Sequence, residues 1–340
     1  MMSFEQFYQD KYPQGVSLDV DLAKYSSMVD VFNQAVTKYA ERPAVSAVGV
    51  TLSYKDLDVQ SRNFAAWLQN KTDLKPGDRI AVQMPNVSQY LVVTFGAMRA
   101  GLIVVNTNPL YTTREMEHQF NDSGAKAVVV LANMAANVEK VLPNTSIDHV
   151  IVTEVADMHS TFKRTLMNAV VRHVKKMVPA YHLPQAHKLP AVLAAGARET
   201  FTPVECKKDD IAVLQYTGGT TGVAKGAMLT HGNLVANLLQ IRPMLEDNIV
   251  KGGEVVIAPL PLYHIYSFTL NCGTMLEAGA HNVLIPNPRD IDAFVKELQN
   301  HKFTAFLGLN TLFVALCNNE EFCKLDFSHL KLTASGGMAL

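Results

Sequence analysis

Tyr216-Thr217-Gly218-Gly219-Thr220-Thr221-Gly222-Val223-Ala224-Lys225-Gly226 crowds glycines, hydroxyls and one lysine between two apolar, strand-like runs. Glycines without Cβ let backbone N–H groups come close to an anion, threonine hydroxyls add donors that can also face Mg²⁺, and Lys225 brings a movable positive charge. The stretch reads as a phosphate-holding loop suited to the triphosphate of a nucleotide. Its spacing argues against other nucleotide loops. A Walker A loop requires Gly, four residues, then Gly-Lys-Ser/Thr. Counted from Gly218, the second glycine falls on Val223, and Lys225 is followed by Gly226. No Gly-x-Gly-x-x-Gly dinucleotide fingerprint fits either.

Working outward, Ile211 to Gln215 is the apolar run that leads into the loop. An anion loop directly after a strand is the arrangement of parallel sheets whose ligands sit beyond the carboxyl ends of the strands. Upstream, Val29, Phe32, Val36 and Tyr39 recur at helical spacing behind a Ser26-Ser27 cap, as do Leu57, Phe64, Ala65 and Leu68. Strand-like runs interleave with them at Arg79 to Met84, Ile103 to Val105 and Ala127 to Leu131. Short apolar runs alternating with helices predict an α/β fold on parallel sheets. Two α/β subdomains are expected, over residues 1–203 and 204–340, with a basic amphipathic insertion near 157–185. In that insertion Phe162, Leu166, Met167, Val170, Val171, Val174, Met177 and Val178 share one helical arc, opposite Arg164, Arg172, Lys175 and Lys176. Such a helix either lies on an anionic membrane surface or docks on the body with its basic face solvated.

The 340 residues are 48% hydrophobic and 18% charged, enough for substantial cores, and the formal net charge is −1. That balance gives no electrostatic footprint for nucleic acid. The start, Met1-Met2-Ser3-Phe4-Glu5-Gln6, lacks the positive region and apolar core of a secretory signal. Arg99 interrupts the best candidate for a membrane span, Leu91 to Val105. Cys206, Cys272, Cys317 and Cys323 contain no Cys-x-x-Cys pair, so buried reduced thiols are expected rather than a zinc site or a disulfide framework. The lack of His-Glu-x-x-His and Gly-x-Ser-x-Gly patterns removes metalloprotease and α/β-hydrolase readings.

The string from Tyr216 through Gly226 and on to Ala227-Met228-Leu229-Thr230-His231 resembles the phosphate loop of the AMP-forming adenylating superfamily, which contains acyl-CoA synthetases, firefly-type luciferases and peptide-synthetase adenylation domains. Leu260-Pro261-Leu262-Tyr263-His264-Ile265-Tyr266-Ser267-Phe268 resembles its aromatic/His substrate motif, and Ser335-Gly336-Gly337-Met338-Ala339-Leu340 its adenine-wall segment. Nearly the whole chain resembles bacterial long-chain fatty acid-CoA ligases, for instance at Val105 to Thr112, Asn121 to Ala125, Asn287 to Asp290 and Leu309 to Phe313. In that family a Tyr-Gly-x-Thr-Glu motif, a hinge and a small lid with a catalytic lysine follow the adenine wall. The resemblance therefore implies that these residues are the larger N-terminal body of such an enzyme, without the C-terminal lid and nearly inactive alone.

The implied reaction activates a long-chain fatty acid with ATP, through an acyl-adenylate, to acyl-CoA. The resemblance assigns catalytic roles to Thr217, Lys225 and His264. It implies that Thr217 holds Mg²⁺ and phosphate, and that Gly218, Gly219, Thr220, Thr221, Gly222 and Lys225 hold the β- and γ-phosphates. Gly336, Gly337 and Met338 are the implied adenine wall. Tyr263 and His264 would flank the carboxylate, Phe268 would gate an acyl tunnel, and Gly308, Asn310 and Thr311 would line it. His231 is assigned structural work. The implied cofactors are ATP, Mg²⁺ and coenzyme A, and the implied location is the cytoplasm, with peripheral contact to the inner face of the membrane as an option. The oligomeric state stays open, a homodimer being one choice. Two rivals also stay open: an adenylating enzyme for a medium-chain or aryl acid, and a module that binds nucleotide or acyl chain without turnover.

Overall fold

In a computed structural model the described residues are Tyr12, Val16, 19–217, 224–245 and 248–337. They form two mainly parallel sheets packed with helices. The helix Met28–Lys38 starts where Ser27 accepts the Asp30 backbone N–H, as the serine pair predicts. The helix Tyr54–Lys71 opens with a reciprocal cap between Ser53 and Asp56 and buries Leu57, Phe64, Ala65 and Leu68.

The first sheet contains β3 (Arg79–Gln83), β4 (Ile103–Asn106), β5 (Ala125–Leu131), β6 (His149–Thr153), β7 (His187–Lys188), β8 (Ile211–Thr217) and β9 (Lys225–Thr230). Their spatial order is β7-β6-β5-β3-β4-β8-β9, all parallel except the β8–β9 hairpin. The second sheet contains β1 (Pro43–Ala47), β2 (Val50–Ser53), β10 (Val255–Ala258), β11 (His281–Leu284), β12 (Ala305–Gly308) and β13 (Leu332–Ser335). It runs β13-β12-β10-β11-β1-β2, with only β1 and β2 antiparallel. Central strands such as β3 and β5 are apolar on both faces because helices cover both sides.

The sheets do not divide at residue 203, where the sequence suggested a boundary. β8 pairs with β4, Val104 opposite Val213, and β1 pairs with β11, Val45 opposite Asn282. Composition changes along the chain mark the irregular region around 155–203, whereas strand partnership is decided by long-range burial that no local window contains. One hydrophobic cluster accordingly joins Val45, Val82, Val104, Val213 and Leu284 from both sheets.

Arg99, the residue that broke the apolar run, is buried at the end of the helix Gln89–Arg99. Its guanidinium meets Asp58 and Asn33, each at 2.6 Å, and lies over the Phe32 ring at 4.7 Å. No described helix is long and apolar enough to cross a membrane. Cys206 and Cys272 are buried as expected, but Cys317 and Cys323 are exposed, because the helical turns that carry them lie on the surface.

Candidate active site

The β8–β9 hairpin leaves the carboxyl end of β8. Thr217 and Lys225, both exposed, face each other as the last pair of the β8–β9 ladder. Gly218, Gly219, Thr220, Thr221 and Gly222, which complete the implied phosphate cradle, lie outside the described residues. The hairpin base is fastened from the helix Thr113–Ser123. The Tyr216 hydroxyl donates to Asp122 at 2.5 Å, and His118 Nε2 meets the Ala224 carbonyl at 2.9 Å. Burial first, and then the Asp122 carboxylate, holds the Tyr216 phenol protonated well above its ordinary range. A Cβ on Gly226 would stand 2.8 Å from the Tyr216 ring, so the strand runs this close only because position 226 is glycine.

The Tyr263–His264 loop follows β10 and is held by side chains from the other sheet. Asn86, just past β3 and 2% exposed, donates to the carbonyls of Ala258 and Leu260 and accepts from the Leu262 N–H, at 3.0, 2.8 and 2.9 Å. A second tether is a chain of amides. The Tyr90 hydroxyl donates to Asn106 Oδ1 at 2.5 Å, Asn106 Nδ2 to Gln215 Oε1 at 3.1 Å, and Gln215 Nε2 to the Tyr263 carbonyl at 3.2 Å. A carbonyl can only accept, so the polarity of the whole chain is set from the Tyr263 end. Gln215 stands two residues before Thr217, and the chain thus ties β8 to the Tyr263–His264 loop.

His264 is exposed and caps the short helix Ile265–Ser267, its Nδ1 accepting the Tyr266 N–H at 3.3 Å. With Nδ1 acting as acceptor, neutral His264 carries its proton on Nε2, which is left to donate outward. Tyr263 is half-buried, and burial raises its phenol pKa.

Gly336 follows β13 beside the end of β12, its N–H directed at the Gly308 carbonyl at 3.4 Å. A Cβ at Gly336 would meet the Tyr266 ring at 2.9 Å. The Gly336 turn and the Tyr263–Phe268 segment therefore touch through Tyr266, a residue of that segment with no expected role. Gly337 takes a positive φ of 78° as the chain turns away, and Met338 lies outside the described residues.

The acyl-tunnel assignments fall in different settings. Phe268 is wholly buried in the main core at the start of the π-helical stretch Phe268–Thr274. Gly308 ends β12 against the Phe313 ring, while Asn310 and Thr311 are exposed at the start of the helix Asn310–Cys317. Among the described residues no cluster of His, Cys, Asp or Glu could by itself hold a metal ion. Thr217 offers one hydroxyl, which fits a Mg²⁺ that takes its other ligands from phosphate and water rather than a protein cage. Thr217, Lys225, Tyr263, His264, Gly308 and Gly336 all lie at or just past the carboxyl ends of their strands or on the hairpin that follows, the rim where parallel sheets bind ligands.

A family model described as AMP-binding enzyme matches residues 32–340. Over 334 residues the chain is 50% identical to the long-chain-fatty-acid–CoA ligase of Escherichia coli O157:H7, covering 98% of this chain and 60% of that protein. The long-chain-fatty-acid–CoA ligase of Haemophilus influenzae is 49% identical over 338 residues, 99% of this chain and 60% of the relative. A solved long-chain-fatty-acid-CoA ligase from Archaeoglobus fulgidus has a TM-score of 0.75 at 24% identity, over 96% of this chain and 60% of that one, a likeness of fold. The chain spans about 60% of the length of the curated relatives it matches.

Proposed function

The chain belongs to the AMP-binding enzyme family, and on that premise we propose that it is the adenylating body of a long-chain fatty acid–CoA ligase. The observation that carries this reading is the amide chain from Gln215 to Tyr263, which fastens the strand entering the phosphate loop to the loop that presents His264. A carboxylate resists thiol attack because oxide is a poor leaving group. ATP removes that obstacle. One carboxylate oxygen attacks the α-phosphorus and pyrophosphate leaves, giving the acyl-adenylate. The sulfur of coenzyme A then attacks the acyl carbon, its proton goes to solvent, and AMP departs.

The chain's own residues bring two anions together and neutralise charge. Lys225 faces the β- and γ-phosphates across the hairpin from Thr217, whose hydroxyl donates to phosphate. Mg²⁺ supplies Lewis-acid neutralisation of the phosphates when bound beside Thr217. His264 donates from Nε2 to the fatty-acid carboxylate and positions it; it abstracts no proton, since the carboxylate has none to lose. Gly336 and Gly337, backed by Tyr266, give adenine a flat backbone surface. Burial of the alkyl chain favours long acids by about 0.8 kcal/mol for each methylene enclosed. The protein works in the cytoplasm and takes fatty acid at the inner face of the membrane.

Calorimetric titration of the 340-residue chain with a non-hydrolysable oleoyl-adenylate mimic tests the reading, run beside AMP and an acetyl-adenylate mimic. The expected outcome is tight binding of the oleoyl compound, weakened steeply by shortening the chain. Equal affinity for both mimics would remove the long-chain claim and leave a medium-chain or aryl acid activator. A folded sample that binds none of them would overturn the adenylating reading.

A further inference from the structure

The segment Phe162–Val178 is attached to the body by its polar side. The helix Thr161–Ala169 passes into a π-helical turn, Val170–Val174, and Lys176, at a φ of 51°, ends the run. Asn168, 8% exposed, accepts from the Ala156 N–H at 3.0 Å and donates to Asp157 at 3.1 Å. Arg172 pairs with Glu154 at 2.8 Å and lies over the Tyr181 ring at 5.5 Å. The Met177 carbonyl is held by Asn133 at 2.8 Å.

Four residues of the apolar side are turned outward, whereas Met167, Val170, Val171 and Val178 are half-buried, Val178 against the core. Phe162 is 79% exposed, Leu166 55%, Val174 72% and Met177 55%. An ordinary surface helix does the reverse, burying its apolar stripe and presenting its polar one. Exposed Lys163, Lys175 and Lys176 flank the apolar group, and every Asp, Glu, Lys or Arg between Asp157 and Glu199 is Lys or Arg. Arg172 is paired with Glu154 on the attached side, and the face itself offers hydrocarbon flanked by lysines in a segment that supplies no acid of its own.

We propose that this face docks the protein on an anionic lipid bilayer, with Phe162, Leu166, Val174 and Met177 entering the acyl region and the lysines meeting lipid phosphates. This deepens the reading that the protein takes fatty acid from a membrane, and it names the surface that does so. Charge complementarity selects the occupant: a bilayer with acidic headgroups supplies an apolar layer directly beneath a sheet of negative charge, matching both halves of the face. The anchors Glu154, Ala156 and Asp157 follow immediately after β6. The docking helix thus hangs from the same rim of the sheet as the phosphate hairpin. β6 is separated from β8 by β5, β3 and β4, roughly 19 Å at the usual strand spacing, so a docked bilayer leaves Thr217 and Lys225 open to soluble nucleotide.

Flotation of the 340-residue chain with phosphatidylcholine vesicles, and with vesicles of equal parts phosphatidylcholine and phosphatidylglycerol, tests this. The anionic vesicles are expected to bind about tenfold or more tightly, and less so in high salt. Phe162→Ser with Leu166→Ser should lower binding to both vesicle types. Lys175→Glu with Lys176→Glu should abolish the anionic preference. Both pairs are exposed, so the thermal midpoint and adenylate-mimic affinity should stay unchanged. Mimic binding without vesicle binding overturns the docking surface and leaves the adenylating reading intact. Vesicle binding that ignores all four substitutions also overturns it. So does a solution dimer dispersed by Phe162→Ser, which would give the face to a second copy.

Discussion

His231 is 3% exposed and its Nδ1 accepts the Met28 N–H at 3.3 Å, so the folded chain needs that nitrogen free of a proton. Burial pushes its pKa down to about 4, with Asp210 pulling weakly the other way. His281, hydrogen-bonded to Ser46 at 2.7 Å, is also pushed down to about 4, by burial and then by His301. An unfolded histidine titrates near 6.5. Above that pH neither form is protonated and the pair costs nothing. As pH falls toward 4 the unfolded chain binds protons the folded one refuses, and stability drops by up to about 1.4 kcal/mol per pH unit for each group. The urea midpoint should therefore fall between pH 7 and pH 5, and His231→Gln, which keeps an acceptor, should make that fall shallower. A midpoint flat over this range would refute the assignment. Thr217, Lys225, Tyr263 and His264 were expected as site residues from short local strings, and the structure places them at or just past strand ends. Asn86 was not, since its three partners lie more than 170 positions away (174 and 176 for Leu260 and Leu262). Gln215 left a trace that could have been followed, a polar amide in an otherwise apolar strand.

Between elements, the tethers decide how the Tyr263–His264 loop lies against β8. Gln215→Leu removes the donor to the Tyr263 carbonyl and leaves buried Asn106 Nδ2 without its acceptor. The expected cost is about 1–3 kcal/mol of stability by chemical denaturation, the desolvation penalty of an unpaired buried group. A second effect separates a tether from a mere core amide: affinity for the oleoyl-adenylate mimic should fall more than affinity for AMP, because only the former depends on where His264 stands. Equal losses for both ligands would reduce Gln215 to a structural residue. The segment Phe162–Val178 shows a different limit of sequence reading. Its periodicity was visible, but the side that meets the body was not, because that is settled by Asp157 and Glu154 accepting Asn168 and Arg172.

At the scale of the molecule, the alternation of strands and helices predicted parallel sheets, and two are present. Their membership was hidden because sheet partners are chosen by shared burial rather than by nearness along the chain. The consequence is one cooperative body. A fragment of residues 1–203 would expose the β8-facing edge of β4 and leave β1 without β11. It is expected to give no cooperative melting transition by circular dichroism, whereas the 340-residue chain gives a single one. A fragment 1–203 that melts sharply would mean the two sheets are independent.

The β1–β2 hairpin also has a history in time. Val45 is made early, but the strand it pairs with carries Asn282. At about 5–20 residues per second, a ribosome needs roughly 10 to 50 seconds to deliver that partner. Throughout that interval Ala44, Val45 and Ala47, all buried in the folded chain, have only the β2 hairpin partner, and the edge that β11 will cover stays open. The nascent chain thus carries an adhesive strand edge throughout that interval, and its yield in a cell should depend on chaperones that cover such edges.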